Sequence, residues 1–165
     1  MSGKVKPIPD GYHTATPYLI CKGAAKAIDF YKKAFGAVEL MRMGDNDKIH
    51  HAEIKIGNSP IMLADEFPEM KALSPLTLGG SPITIMLYVE DVDSLFKSAV
   101  DAGATVDKPL ENQFYGDRTG GVTDPFGHKW YLATHIEDVS HEELEKRASA
   151  ATKKNMKETL PAGAK

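Results

Sequence analysis

The fold is decided by the stretch Tyr18-Leu-Ile-Cys-Lys-Gly23, which leads into Ala24–Phe35 and then into Gly36-Ala-Val38. The first segment has the composition of a short strand. The second places apolar residues at helical spacing, at positions 24, 27, 28, 31 and 35. Gly36 stands where a helix ends most easily in the left-handed conformation. The stretch therefore predicts a strand, an amphipathic helix and a second strand in direct succession.

The same order recurs later in the chain. Leu87-Tyr-Val-Glu90 leads into a helical pattern over Asp91–Ala102 and then into Gly103-Ala-Thr-Val106. Asp91 stands at the N-cap position of this second helix, and Gly103 matches Gly36. The repetition predicts two copies of one supersecondary unit in tandem.

Each helix is followed by two further strand patterns joined by a tight turn rich in Gly, Asn, Asp, Ser or Pro. These strands cover Ile49–Ile56, Pro60–Ala64, Gly120–Thr123 and Lys129–Thr134. Each half is thus predicted to be a βαβββ unit. Together the units predict an α+β fold, in which a curved eight-stranded mixed sheet carries helices on one face and a cleft on the other.

The repeat also sets the predicted domain organisation. Residues 1–13 form an N-terminal extension, and residues 14–137 form a single domain. Its two units cover about 14–66 and 82–137 and are joined by a Pro- and Gly-containing linker at 67–81. Residues 138–165 are predicted to form a C-terminal helix and a disordered tail; the helix starts in a capping-box pattern, Ser140-His-Glu-Glu143, and runs to about Lys157.

Composition indicates a soluble globular protein. The chain has 165 residues, of which 42% are hydrophobic and 26% charged. Its 20 basic and 23 acidic residues give a net charge of −3, which does not favour a nucleic-acid partner. No apolar run reaches the roughly 20 residues that a membrane span needs. The lone Cys21 suits a reducing compartment, so we expect a cytoplasmic protein without a membrane partner.

Two stretches carry a resemblance to a known family. Ala27-Ile-Asp-Phe-Tyr-Lys-Lys-Ala-Phe-Gly-Ala37 and Asp124-Pro-Phe-Gly-His-Lys-Trp130 resemble the vicinal-oxygen-chelate superfamily, which includes glyoxalase, bleomycin-resistance and extradiol-dioxygenase proteins. Four further stretches look like its PhnB-like branch: Thr16-Pro-Tyr-Leu, Ile49-His-His-Ala-Glu, Met62-Leu-Ala-Asp and Phe114-Tyr-Gly-Asp-Arg118. The resemblance implies the glyoxalase/bleomycin resistance fold, a homodimer and a small molecule bound in the cleft.

The resemblance also implies where a metal ion would be held. The metal enzymes of this superfamily use His and carboxylate ligands from the first and last strands of each unit. Aligned without gaps on the first helix, this chain has Thr16, Met62, Thr84 and Tyr131 at those places. None is His, Asp or Glu. We therefore expect no cofactor at the usual metal site, and the metal-dependent reactions of the family are not expected there.

Strand alternation predicts the side chains that line the cleft. His51 and Glu53 project from the same side of their strand, as a His–carboxylate pair suited to acid–base catalysis. With Asp65 or Glu66 they could instead hold a divalent ion at a displaced site, and a purely structural pair is a third interpretation. The residues predicted to bind the ligand are Thr16, Tyr18, Met62, Thr84, Met86, Tyr88, Tyr115, Arg118, Tyr131 and His135.

Two functions are compatible with these patterns. The first is a glyoxalase/bleomycin-resistance-like protein that binds a small molecule in its cleft without the usual metal. The second is a lyase, isomerase or dioxygenase-like enzyme in which His51 and Glu53 perform acid–base or displaced-metal chemistry. The sequence leaves open which of the two applies and what the ligand is.

Overall fold

The computed structural model describes residues 5–45 and 48–159. The predicted disordered tail, at 160–165, lies outside the described residues. None of the helices in the described part of the chain is long and apolar enough to cross a membrane. The elements are β1 (Tyr18–Cys21), α1 (Ala24–Phe35), β2 (Val38–Gly44), β3 (Ile49–Ile56), β4 (Ser59–Asp65), α2 (Pro75–Leu78), β5 (Thr84–Tyr88), α3 (Val92–Asp101), β6 (Thr105–Asn112), β7 (Asp117–Thr123), β8 (Lys129–His135) and α4 (His141–Thr159).

The strands form two sheets of identical topology. Sheet one has the order β1-β4-β3-β2, and sheet two has the order β5-β8-β7-β6. In each sheet the first strand pairs in parallel with the last, and the remaining pairs are antiparallel. The α+β class and the tandem βαβββ units are confirmed. The eight strands form two four-stranded sheets rather than one continuous sheet, and a groove lined in part by Leu73 and Leu78 of the linker lies between the edge strands β1 and β5.

Each sheet carries its helix on one face only. Helix α1 lies on sheet one, α3 lies on sheet two, and the two helices contact each other. The apolar residues that alternate toward α1 from β3, namely Ala52, Ile54 and Ile56, are buried, as predicted. The opposite face of each sheet is not covered by a helix of the described chain. We call these two surfaces the open faces.

The start of α1 is tied to the end of β4 by a buried carboxylate. The helix begins after Gly23, which has no side chain to cap the first turn. Asp65 Oδ1 accepts hydrogen bonds from the main-chain N–H groups of Gly23 and Ala24 at 2.9 and 2.8 Å. Asp65 Oδ2 accepts one from Ile49 at 2.7 Å. Asp65 thus acts as the N-terminal cap of α1, where a negative charge is stabilised by the free N–H groups.

A second buried carboxylate joins the two units. Asp124 accepts hydrogen bonds from the Tyr31 hydroxyl at 2.7 Å and from Trp130 Nε1 at 2.9 Å. It also accepts the main-chain N–H groups of Phe126 and His128, both at 2.9 Å. Because Tyr31 belongs to α1 and the other three donors lie in or beside the turn before β8, one side chain links both halves of the core. This network accounts for the Asp124-Pro-Phe-Gly pattern in the sequence.

The predicted linker is folded. It contains a 3₁₀ turn at Pro68–Met70, the short helix α2 and a bridge between Phe67 and Ala72. The Glu66 carboxylate accepts hydrogen bonds from the Ser74 N–H, the Ser74 hydroxyl and the Thr77 hydroxyl at 3.0, 2.8 and 2.7 Å. These hydrogen bonds lower the pKa of Glu66 from 4.5 to about 2.

Arg147 connects the C-terminal helix α4 to the segments that follow β6 and β8. The predicted cap is confirmed, since the Glu143 N–H donates to the Ser140 hydroxyl at 3.3 Å. Arg147 donates two hydrogen bonds to Glu137, both 2.8 Å long, and a third to the carbonyl of Phe114 at 3.3 Å. The helix is thereby fixed beside the loop between β6 and β7.

Candidate functional site

The open face of sheet one carries a row of side chains from four neighbouring strands. The register pairs Tyr18 of β1 with Met62 of β4, Met62 with Glu53 of β3, and Glu53 with Met41 of β2. The side chains of His51 and Glu53 are half-buried on this face, at 21% and 17% exposure. The predicted orientation of the His–carboxylate pair is therefore correct.

A chain of hydrogen bonds runs along this face. The Tyr18 hydroxyl lies 2.9 Å from His51 Nδ1, and His51 Nε2 lies 3.1 Å from Glu53 Oε1. The other carboxylate oxygen of Glu53 accepts a hydrogen bond from the Tyr12 hydroxyl. An ionised Glu53 can only accept hydrogen bonds. The neutral tautomer of His51 that satisfies both contacts therefore carries its proton on Nε2, which donates to Glu53, and accepts a hydrogen bond from the Tyr18 hydroxyl at Nδ1.

The same contacts shift the acidities of the groups involved. The hydrogen bonds from Tyr12 and His51 lower the pKa of Glu53 below 4.5. The bond to Glu53, together with burial, raises the pKa of Tyr12 to about 12, and burial raises that of Tyr18 above 10. Glu53 is therefore ionised and both tyrosines are neutral donors near neutral pH.

The N-terminal segment forms a wall over this face. A cavity of about 480 Å³ lies between the segment and the sheet. Its floor is formed by Thr16, Glu53 and Met62, and its wall by residues of the segment: Pro7, Ile8, Pro9, Tyr12, His13 and Thr14. We call this space the sheet-face cavity. Sequence alternation could not have identified the segment, because Tyr12 lies outside any strand and reaches Glu53 only through the folded chain.

The open face of sheet two has a polar cluster of its own. Asp117, which is buried, accepts hydrogen bonds from the Tyr88 hydroxyl and from His135 Nδ1, each at 2.7 Å. The second ring nitrogen of His135 lies 3.0 Å from Asp138. The two carboxylates raise the pKa of His135 above 6.5 by stabilising the imidazolium form. Tyr88 and His135 were predicted at this site, whereas Asp117 was not.

A smaller cavity of about 280 Å³ lies beside this cluster. Tyr115 and Tyr131, both predicted ligand-binding residues, line it together with Lys108. The Lys108 ammonium lies 5.2 Å from the centre of the Tyr131 ring. Gly121 lies beneath that ring, where a Cβ atom would come within 2.8 Å of it.

Arg118 lies elsewhere. Its guanidinium donates two hydrogen bonds to Asp93 of α3, at 2.8 and 2.6 Å, and one to Asn112. It therefore points to the helix side of sheet two, away from the open face. Arg118 was predicted to bind the ligand together with Tyr115; because β7 begins at Asp117, Arg118 belongs to the strand and its side chain lies on the helix side instead.

The residues at the family's metal-ligand positions do not fit a divalent ion. Thr16 and Met62 line the sheet-face cavity, Tyr131 lines the smaller cavity of sheet two, and Thr84 faces the groove between the units. Hydroxyl and thioether groups are poor ligands for Zn²⁺ or Fe²⁺. Across residues 5–45 and 48–159, no group of three or more His, Cys, Asp and Glu side chains could hold a metal ion.

The geometry does not favour the displaced metal site either, in which Asp65 or Glu66 would join His51 and Glu53. Asp65 caps α1, and Glu66 holds the linker, so neither carboxylate is directed toward His51. The open face of sheet one thus offers a hydrogen-bonding and apolar surface rather than a set of metal ligands.

Comparison with known proteins identifies the family. The model of the Glyoxalase/Bleomycin resistance protein/Dioxygenase superfamily matches residues 12–132. The chain belongs to this superfamily. The uncharacterized protein Rv0887c of Mycobacterium tuberculosis is 47% identical over 139 residues, which cover 82% of each chain.

Several solved structures share the fold. The gene product At5g48480 of Arabidopsis thaliana is 29% identical, with a TM-score of 0.60 over 74% of this chain and 98% of that one. A PhnB protein of Bacillus cereus, described as a putative 3-demethylubiquinone-9 3-methyltransferase, is 16% identical, with a TM-score of 0.54 over 74% and 99%. The second likeness bears on the fold alone.

Proposed function

We propose that this superfamily member binds a small organic molecule in the sheet-face cavity without the help of a metal ion. The observation that carries the proposal is the cavity itself, whose volume of about 480 Å³ lies within the range of small-molecule sites. Met62, Ile8 and the prolines of the N-terminal segment supply apolar contacts, while Glu53, Tyr12 and Thr16 supply hydrogen-bonding groups. Such a mixture favours an apolar ligand with a few polar atoms.

The hydrogen-bond pattern favours binding over catalysis. A general base needs one ring nitrogen directed at the proton that it removes. In His51, however, Nδ1 is engaged by Tyr18 and Nε2 by Glu53. The imidazole therefore serves to hold Glu53 and Tyr18 in place at the edge of the cavity.

A homodimer in the cytoplasm is part of the proposal. Large apolar side chains are exposed on both open faces, including Tyr18, Met43, Met86 and Tyr88. Pairing of open faces between two copies would cover them and would extend the cavity into a closed cleft. Light scattering coupled to gel filtration should give twice the chain mass at micromolar concentration; a monomer at every concentration would contradict the dimer.

A fragment screen tests the binding proposal. The probes are aromatic and aliphatic fragments of drug-like size, applied to untagged protein with EDTA present, and the readout is the melting temperature. A ligand of the folded state raises that temperature by mass action. The Met62→Trp variant fills the cavity and should abolish the effect, whereas the control Met86→Trp on sheet two should keep it. Absence of any hit in EDTA, or a set of hits of which none is lost in Met62→Trp, would contradict the proposal.

The second candidate function is an acid–base enzyme, and the Tyr18–His51–Glu53 chain favours it. If Tyr18 released Nδ1 on substrate binding, His51 could take a proton from a carbon acid while Glu53 stabilised the imidazolium. Turnover of a substrate found among the fragment hits, lost in both His51→Ala and Glu53→Ala, would establish this reading in place of simple binding.

A further inference from the structure

A third cavity lies between the two units. It is a groove of about 630 Å³, bounded by the edge strands β1 and β5 and by the linker. We call it the inter-unit groove. Its apolar lining includes Leu19, Ile20, Leu73, Leu78, Ile83 and Ile85. Ile83 and Leu78 are 68% and 63% exposed, and together they form an exposed apolar patch at the groove.

The charge of the groove has one sign. No Asp or Glu lines it among the described residues, whereas Lys129 does. The Lys129 ammonium has no hydrogen-bond or ion-pair partner within the described part of the chain. The other polar side chains of the lining are those of Thr16, Tyr18, Ser81, Thr84 and His128. An apolar ligand with an anionic end would therefore find a free cation and no repelling carboxylate.

The one histidine of the groove adds no second charge. His128 is buried, and its Nε2 lies 3.2 Å from the carbonyl of Ile20 and 3.6 Å from Cys21 Sγ. Burial lowers the pKa of His128 below 6.5, so the ring is neutral near neutral pH and donates to that carbonyl. His128 thus helps to join β1 to the second unit, and among the described residues that line the groove Lys129 is the only cation.

The walls of the groove are fixed before any ligand arrives. Glu66 holds Ser74 and Thr77 at the start of α2. The other side of α2 packs on Gly127, where an added Cβ atom would come within 2.9 Å of Pro75. A preformed cavity loses less conformational entropy on binding than one that must be ordered first.

We propose that the inter-unit groove binds a small amphipathic carboxylate, with its apolar body against Ile83 and Leu78 and its carboxylate on Lys129. Strands β1 and β5 are the edge strands of their sheets that face the groove, and apart from the Ile20 carbonyl, which accepts from His128, their outward main-chain groups can hydrogen-bond the polar end. This site is independent of the sheet-face cavity, with which it shares only Thr16 among the lining residues.

Three probes of the same shape test the proposal: 4-butylbenzoate, 4-butylbenzyl alcohol and 4-butylbenzylammonium. Calorimetry on the full chain at low salt should show the carboxylate binding about fivefold more tightly than the alcohol, as a solvent-accessible ion pair worth about 1 kcal/mol implies. The ammonium should bind more weakly than the alcohol. Equal affinities for the carboxylate and the alcohol would overturn the proposal.

Variants locate the site. Lys129→Met should remove the preference for the carboxylate and keep alcohol binding, while the matched control Lys108→Met on sheet two should keep both. Ile83→Asp, at an exposed position where folding is not threatened, should abolish binding of the carboxylate and the alcohol. Retention of the preference in Lys129→Met, or loss of benzoate binding in Met62→Trp, would contradict the groove and would assign the probe to another site.

Discussion

The buried Tyr31–Asp124 hydrogen bond should be a measurable part of what holds the two units together. Both side chains are almost fully buried, and the bond is 2.7 Å long. A hydrogen bond to a charged group contributes about 1.5–3 kcal/mol. In Tyr31→Phe the carboxylate keeps its three other donors and is not left unsatisfied. We therefore expect a loss of about 2 kcal/mol in the free energy of unfolding and of about 4–8 °C in melting temperature.

A matched control separates this effect from the loss of any tyrosine hydroxyl. Tyr88→Phe also deletes a 2.7 Å bond to an aspartate, but Tyr88 is largely exposed, and we expect less than about 1 kcal/mol there. The assay is urea unfolding, which gives the free energy of unfolding of both variants and of Tyr31→Phe in an Asp124→Asn background. In that background the tyrosine change should cost less than it does alone. Equal, small losses in Tyr31→Phe and Tyr88→Phe would refute the reasoning.

Three further predictions concern the linker, sheet two and α4. The folded-state pKa of Glu66 is about 2, so the ionised carboxylate's contribution to the free energy of unfolding is present above about pH 4.5 and is lost as pH falls toward 2. Urea titrations should therefore show that acid destabilises the wild type more than it destabilises Glu66→Gln. Asp117 raises the pKa of His135, so the contribution of this ion pair to the free energy of unfolding is present below pH 6.5 and is lost as pH rises through the folded-state pKa. An NMR titration should show His135 titrating above pH 6.5, and a lower value would contradict the contact. Arg147→Met removes the paired bonds to Glu137 and should expose α4 to proteolysis before the rest of the chain; unchanged cleavage would show that other contacts hold the helix.

Local sequence patterns predicted the helices and strands because the formation of such elements depends on residues that are neighbours in sequence. The helical spacing predicted Ala24–Phe35, which is the extent of α1, and Asp91 caps α3 as expected by accepting from Ser94 at 3.0 Å. The separation of the two sheets did not follow from these patterns. It concerns how β1 and β5, which are distant in sequence, lie relative to each other, and no local periodicity encodes that.

The site was predicted only as far as strand alternation reaches. His51 and Glu53 lie side by side on the open face because alternate residues of a strand share a face. Tyr12 and Asp117 were missed, since their contacts join parts of the chain that are distant in sequence. Arg118 was misplaced because its partner, Asp93, lies on a helix that packs on the opposite side of the strand.

Metal titration of the untagged protein tests the central claim most directly. Calorimetry with Zn²⁺, Ni²⁺, Mn²⁺ and Fe²⁺, together with elemental analysis of the purified protein, should show no ion bound in stoichiometric amount, because hydroxyl and thioether groups stand where ligands would be needed. One tightly bound ion per chain, lost in His51→Ala or Glu53→Ala, would contradict the account and would favour a metal-dependent reaction on the open face of sheet one.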